Sequence, residues 1–197
     1  MEEIYSIKDV GPYDLYSVVL IRPDLDPKRP LRCFHFSVGA PIPGTAIEKK
    51  VCACRSDTNM RVAGQLVDET MTVTSIEWRI PALALGKYQD NFADYRVTRE
   101  DVVEFLKQAV IYLHAGSERR LAILSGNYVD NGPFLSEFNP DAIGSYGMKC
   151  PLGQNSFKIG RLEQFWVEVS FPKGAPMING VLPLVVSLCG ERARGVQ

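Results

Sequence analysis

The sequence predicts a mainly β fold, a β-sandwich or jelly roll with one inserted α-helix, on three observations. Phe165, Val167, Val169 and Phe171 alternate with Trp166, Glu168 and Ser170, the period-two signature of a strand with one buried face. Turns rich in glycine and proline, such as residues 39–44 and Pro172–Lys173–Gly174, separate short apolar runs along most of the chain. One stretch switches period: Val102, Phe105, Leu106, Ala109, Val110 and Leu113 fall at helical spacing. Short strands, tight turns and a single helix are the pattern of a two-sheet fold.

The elements follow in order. Residues 15–21 (LYSVVLI) read as an early strand. Residues 22–30 form a loop, because Pro23, Pro27 and Pro30 withhold ladder hydrogen bonds. Residues 33–38 alternate, with Phe34, Phe36 and Val38 on one face and Cys33, His35 and Ser37 on the other; 50–55 suit a short strand. Asp57, Thr58 and Asn59 carry the short polar side chains that bond nearby backbone amides in an Asx-type turn. Met71 and Val73 share one face while Ile76, Trp78 and Ile80 follow a shifted phase. Such a slip is what a β-bulge produces, and it places one near Thr74 and Ser75.

The helix is expected over about 98–115, with Thr98 as N-cap, Glu100 and Asp101 in its first turn, and Gly116 as its stop. Residues 121–124 read as a short strand, and about 125–154 as a long loop-rich insertion. The chain closes with the 165–171 strand and a second apolar run over 181–189. Residues 190–197 (GERARGVQ) then read as a short charged tail, free at the end.

Composition narrows the function. The 197 residues suggest one domain, large enough to bury a core without disulfides or metals. No window of eighteen apolar residues predicts a membrane helix. The acidic start, Met1-Glu2-Glu3-Ile4-Tyr5, lacks the apolar centre of a signal peptide, so the chain is expected to be made and kept in a cytosol. Basic side chains number 22 and acidic ones 23, with no block of like charge. Direct phosphate binding needs clustered Lys or Arg, so nucleic-acid binding is not expected. Five cysteines at scattered positions suggest reduced thiols in that setting.

Several constellations bear on chemistry. Cys33-x-His35 and Cys52-x-Cys54 would bind zinc only if their strands were neighbours, and the two-residue spacer of zinc knuckles is missing. Cys150 and His114 offer a nucleophile and a base without a third orienting group. Asp90, Asp94, Glu100 and Asp101 are read more simply as cap and dipole partners. Gly144, Gly147 and Gly153 lack the strand–glycine–helix order of a phosphate loop. No catalytic, cofactor-binding or metal residue is therefore assigned, and a non-enzymatic role is expected.

Three segments carry a resemblance. The first is Asp57-Thr58-Asn59-Met60 with Ala63-Gly64-Gln65-Leu66, leading into 71–80. The second is Asp101-Val102-Val103-Glu104-Phe105-Leu106. The third is Phe165-x-Val167-x-Val169, then Val185-x-x-Leu188-x-Gly190-x-x-x-Arg194-x-Val196-Gln197. In this order they resemble the jelly-roll major capsid proteins of tailless icosahedral bacteriophages, the group whose best-known members enclose an internal membrane. The resemblance implies a single jelly-roll domain over 1–197. It implies a structural viral capsid protein that self-assembles, alone or with a second capsid protein, into an icosahedral shell. Its partners would be other copies of itself and that second protein, near an internal membrane, and its location the virion after synthesis in the host cytoplasm. No cofactor is implied. The tail residues Glu191, Arg192 and Arg194 are the candidate contacts with a neighbouring subunit; deleting 190–197 is then expected to impair assembly more than folding. The competing expectation is a jelly-roll carbohydrate- or receptor-binding module using Tyr128, Asp130, Asn131, Phe134 and Asn139. A cupin-type enzyme is a third, which His35 and His114 are too few to furnish.

Overall fold

The computed structural model describes residues 8–21, 30–41, 52–81, 108–116, 118–124, 145–171 and 182–195. Its strands are β1 (Lys8–Ile21), β2 (Leu31–Cys33), β3 (Glu69–Pro81), β4 (Val110–Ala115), β5 (Glu118–Leu124), β6 (Ser145–Pro151), β7 (Phe157–Ile159), β8 (Phe165–Ser170) and β9 (Leu182–Gly195). Among the described residues they form two antiparallel sheets. Sheet A runs β1-β9-β3-β6, with β7 also on β3; sheet B runs β2-β8-β4-β5. The chain is mainly β.

Alternation decides which side chains meet. In β8 Phe165, Val167 and Val169 are buried while Trp166, Glu168 and Ser170 are half-exposed, and Phe171 just beyond is buried too. Leu15 and Val19 of β1 and Leu184, Val186 and Leu188 of β9 line the inner face of sheet A. These residues, with Met71, Val73, Ile76 and Trp78 of β3 and Ile111 and Leu113 of β4, form one core cluster shared by both sheets. Each large side chain fully buried there contributes roughly 1.5–3 kcal/mol.

The expected bulge is present. The register of β3 against β9 shifts between Val73 and Ser75, so Met71 and Val73 before the shift and Ile76 and Trp78 after it all face inward. Thr74, the extra residue, donates its hydroxyl to the Cys189 carbonyl (3.3 Å) and accepts the Leu152 amide (2.8 Å) on its own carbonyl. Opposite the bulge lies Gly190, where a Cβ would collide with the Thr72 carbonyl oxygen. Only glycine lets the two backbones approach so closely.

The pairing is concentric. β1 pairs with β9, β2 with β8, β3 with β6, and β4 with β5, each earlier strand taking a later partner in reverse order. Two further pairings, β9 on β3 and β8 on β4, roll that long hairpin into the two sheets.

The free edge of β1 is covered by the segment read as a polar turn. Tyr16 donates its amide to Asn59 Oδ1 (2.9 Å), Asn59 Nδ2 donates to the Asp14 carbonyl (2.7 Å), Thr58 Oγ1 donates to the Tyr16 carbonyl (3.0 Å), and the Val18 amide donates to the Asp57 carbonyl (2.8 Å). The Asp57 carboxylate in turn accepts the Cys54 amide at 2.8 Å. An edge whose amides and carbonyls are taken is no template for a stray strand. Further along β1, Pro12 has no amide to offer.

Several sequence expectations are corrected. The helix expected over about 98–115 is not a helix over 110–115, which is β4; residues 98–107 lie outside the described set. Ile111, Leu113 and Ala115 point inward and Val110 and Tyr112 outward, a period of two. Gly116 (φ 60°) turns β4 into β5 rather than capping a helix. The loop-rich insertion expected at about 125–154 contains β6 and a 3-10 turn, Gly153–Asn155; residues 125–144 lie outside the described set. β2 stops at Cys33, because Phe34 turns into the left-handed region (φ 70°); Cys33 is buried and Val38 exposed, against the expected phase. Over 50–55 the described residues make only the isolated bridge from Cys52 to Pro41.

Candidate interaction surface

The residues expected on a free tail lie inside a central strand. Glu191, Arg192 and Arg194 belong to β9, and each pairs with β1 on one side and β3 on the other. The alternation that buries Leu184, Val186 and Leu188 continues through Gly190 to Arg192 and Arg194, so these arginines extend the inner face past the end of the apolar core. Glu191 takes the opposite parity and is exposed on the outer face. The sequence therefore grouped three residues that the strand divides between two faces. Deleting 190–197 would remove the part of β9 that pairs with β1 and β3 from Gly190 onward, so folding is expected to suffer directly.

Where the core ends, Tyr13, Glu69, Arg192 and Arg194 line a small cleft with Arg61 and Gln65 of the neighbouring loop; its enclosed volume is about 50 Å³. Arg192 lies 3.7 Å from the Glu69 carboxylate and 4.9 Å above the Tyr13 ring. Burial pushes the Tyr13 hydroxyl above its usual pKa and Glu69 adds to this, while Arg192 and Arg61 pull the other way. Sequence reading missed Tyr13 and Glu69. Their signal was register: Glu69 pairs with Arg194, and Tyr13 with Gly190.

Beside the cleft, the turn from Gly160 to Glu163 docks on the loop before β3. Leu162 donates its amide to the Leu66 carbonyl (2.7 Å), Gln65 Nε2 donates to the Leu162 carbonyl (3.3 Å), and Arg161 Nε donates to the Val67 carbonyl (2.9 Å). Gly160 donates its amide to Glu163 Oε2 at 2.7 Å. This framework holds Leu162 at φ 59° with its side chain 56% exposed.

The outer face of sheet B carries an aromatic stack. The His114 and Trp166 rings are nearly parallel, 9° apart with centroids 4.7 Å apart. His35 stacks on Trp166 at 6.3 Å, and the Arg32 guanidinium lies 5.8 Å from the indole centroid. Glu168 lies 3.8 Å from both Arg32 and His114. Partial burial, and then the Arg32 charge, hold the His35 imidazole below its usual pKa. Reading β4 as helix hid this stack, because the His114–Trp166 pairing exists only between strands.

The other candidate groups do not converge. Cys33 is buried and Cys52 and Cys54 are exposed; burial drives the Cys33 thiol pKa far upward. His114 sits on sheet B and Cys150 on sheet A, with its thiol against the Pro151 carbonyl at 3.9 Å. Among the described residues no group of three His, Cys, Asp or Glu side chains is placed to hold a metal. Gly147 lies within β6, and Gly153 opens the 3-10 turn. Gly144, the Asp90–Asp101 carboxylates and the proposed sugar-binding set from Tyr128 to Asn139 lie outside the described residues.

No protein-family model, curated protein or solved structure matches the chain.

Proposed function

We propose that this chain is a structural capsid protein whose single jelly-roll domain packs, alone or with a second capsid protein, into an icosahedral viral shell. The observation that carries the reading is the concentric strand pairing. A jelly roll is a long hairpin rolled into two facing sheets, and the pairing of β1 with β9, β2 with β8, β3 with β6 and β4 with β5 supports that arrangement. Jelly rolls serve shells, lectins and cupin enzymes alike. The chain's two histidines argue against a cupin metal site. The features exposed at the cleft end, an apolar tip on a rigid turn and charged strand residues, suit contacts between proteins better than catalysis.

The near balance of 22 basic and 23 acidic side chains supports a shell that does not gather its own genome. The nucleic acid is then packaged separately, behind an internal membrane or by a motor.

Light scattering and negative-stain imaging of the purified chain, across concentration and salt, test the reading. Oligomers, sheets or shells are expected. A strict monomer at high concentration in every salt, with measurable glycan affinity, would replace it with the binding-module reading. Tight, salt-sensitive DNA binding would remove the separate-packaging part alone.

A further inference from the structure

Four large hydrophobic side chains are exposed among the described residues: Val10, Val38, Val62 and Leu162. Three of them fall into two patches of opposite charge. Val62 (40% exposed) and Leu162 (56% exposed) stand on the two loops that dock together beside the cleft. Arg61 and Arg161, both exposed, immediately precede them in the chain. Glu163 is turned back onto the Gly160 amide, while Asp68, further along the first loop, is exposed and carries the opposing sign.

The second patch is the outer face of sheet A near the start of β1. Val10 (57% exposed) pairs with Ala193, Pro12 with Glu191, and Asp14 with Cys189. Paired residues share a face, so Asp14 and Glu191 flank Val10 and Pro12 there. On the same face the Cys189 thiol is pushed up to about 11, first by burial and then by Asp14 and Glu77, with Lys149 opposing; the exposed Lys158, which pairs with Thr72 across from Glu191, also carries the opposing sign.

Leu162 supplies the reason to read the first patch as a contact. A non-glycine residue in the left-handed region is strained, and an exposed leucine gains no burial in return. Five hydrogen bonds nevertheless hold the surrounding turn in place.

We propose that the Val62–Leu162 patch, with Arg61 and Arg161, docks on the Val10–Pro12 patch, with Asp14 and Glu191, of a second copy of this chain. The two patches differ, so the contact is head-to-tail, and repetition of it builds a ring or an open array rather than a closed twofold dimer. This rests on the shell reading in one respect, that the partner is another copy.

Charge exchange tests it by sedimentation velocity, with circular dichroism melts to confirm folding. Arg61→Glu with Arg161→Glu, or Asp14→Lys with Glu191→Lys, should each weaken self-association by about tenfold or more. Mixing the two variants should restore it, since each reversed patch then meets an opposite one. Leu162→Gly should also weaken association while leaving the melting temperature equal or raised, because glycine accepts φ 59° without strain. Association at the wild-type level in either charge-reversed variant, or a loss that mixing fails to restore, overturns this contact and leaves the shell reading standing. A wild-type chain that never associates overturns both.

Discussion

The two halves of β9 share neighbours but not surroundings. From Leu184 to Cys189 every residue is buried, on both faces of the sheet. From Gly190 to Arg194 the residues are half-buried or exposed. Yet β1 flanks the whole strand and β3 flanks it from Arg79's partner Val185 onward. Backbone pairing is thus the same in both halves, and side-chain burial is what changes. The difference teaches that a strand's hydrogen bonds can run past the core, carrying charged side chains outward in fixed register.

Substitutions can break this comparison at either half. Leu188→Ala should cost roughly 2–5 kcal/mol in urea unfolding, from lost burial and the cavity left behind. Arg192→Ala should cost less than about 1 kcal/mol, since its ion pair with Glu69 is part-exposed. Equal costs would mean that the core extends past Gly190.

Between the halves, Gly190→Ala should cost about 1–3 kcal/mol by forcing the β3 and β9 backbones apart at the bulge. A neutral result would show that the bulge relaxes freely.

The remaining effect is confined to alkaline pH. The Cys189 thiol pKa stands at about 11, above its ordinary 9.0, so the folded chain holds this proton more tightly than the unfolded one. Its contribution to stability is complete below about pH 9 and is lost as pH rises towards about 11. Cys189→Ala should flatten the stability curve over that window, read by denaturation at fixed pH steps. An unchanged slope would assign the alkaline loss to other groups, such as the raised hydroxyls of Tyr13 and Tyr16.

What the sequence revealed depended on whether a signal was local. The alternation of β8 and the phase slip at Thr74 are properties of a few consecutive residues, and both are present in the structure. The 110–115 run was ambiguous, because Ala109 and Leu113 satisfy a helical stripe and a strand alternation equally. Ile111 and Ala115, buried on the same face, break the tie, and the helical reading left them out. The C-terminal segment failed for another reason. Charge suggested a solvated tail, but its place between β1 and β3 is fixed by partners far away in the chain. The cleft and the Trp166 stack were illegible for the same reason, each needing a register that no single segment encodes.

Concentric pairing also sets an order in time. The β4–β5 hairpin closes across a tight turn at Gly116, whereas Lys8 must find Gly195 near the opposite end of the sequence. Loop closure is costly before distant contacts repay it, so folds of this kind assemble slowly, from the innermost hairpin outward. Sheet A lacks its middle strand until β9 arrives, and during that interval β1 and β3 stand apart with unpaired edges. Such open edges, facing a long closure, are the surfaces through which slow-folding β chains aggregate.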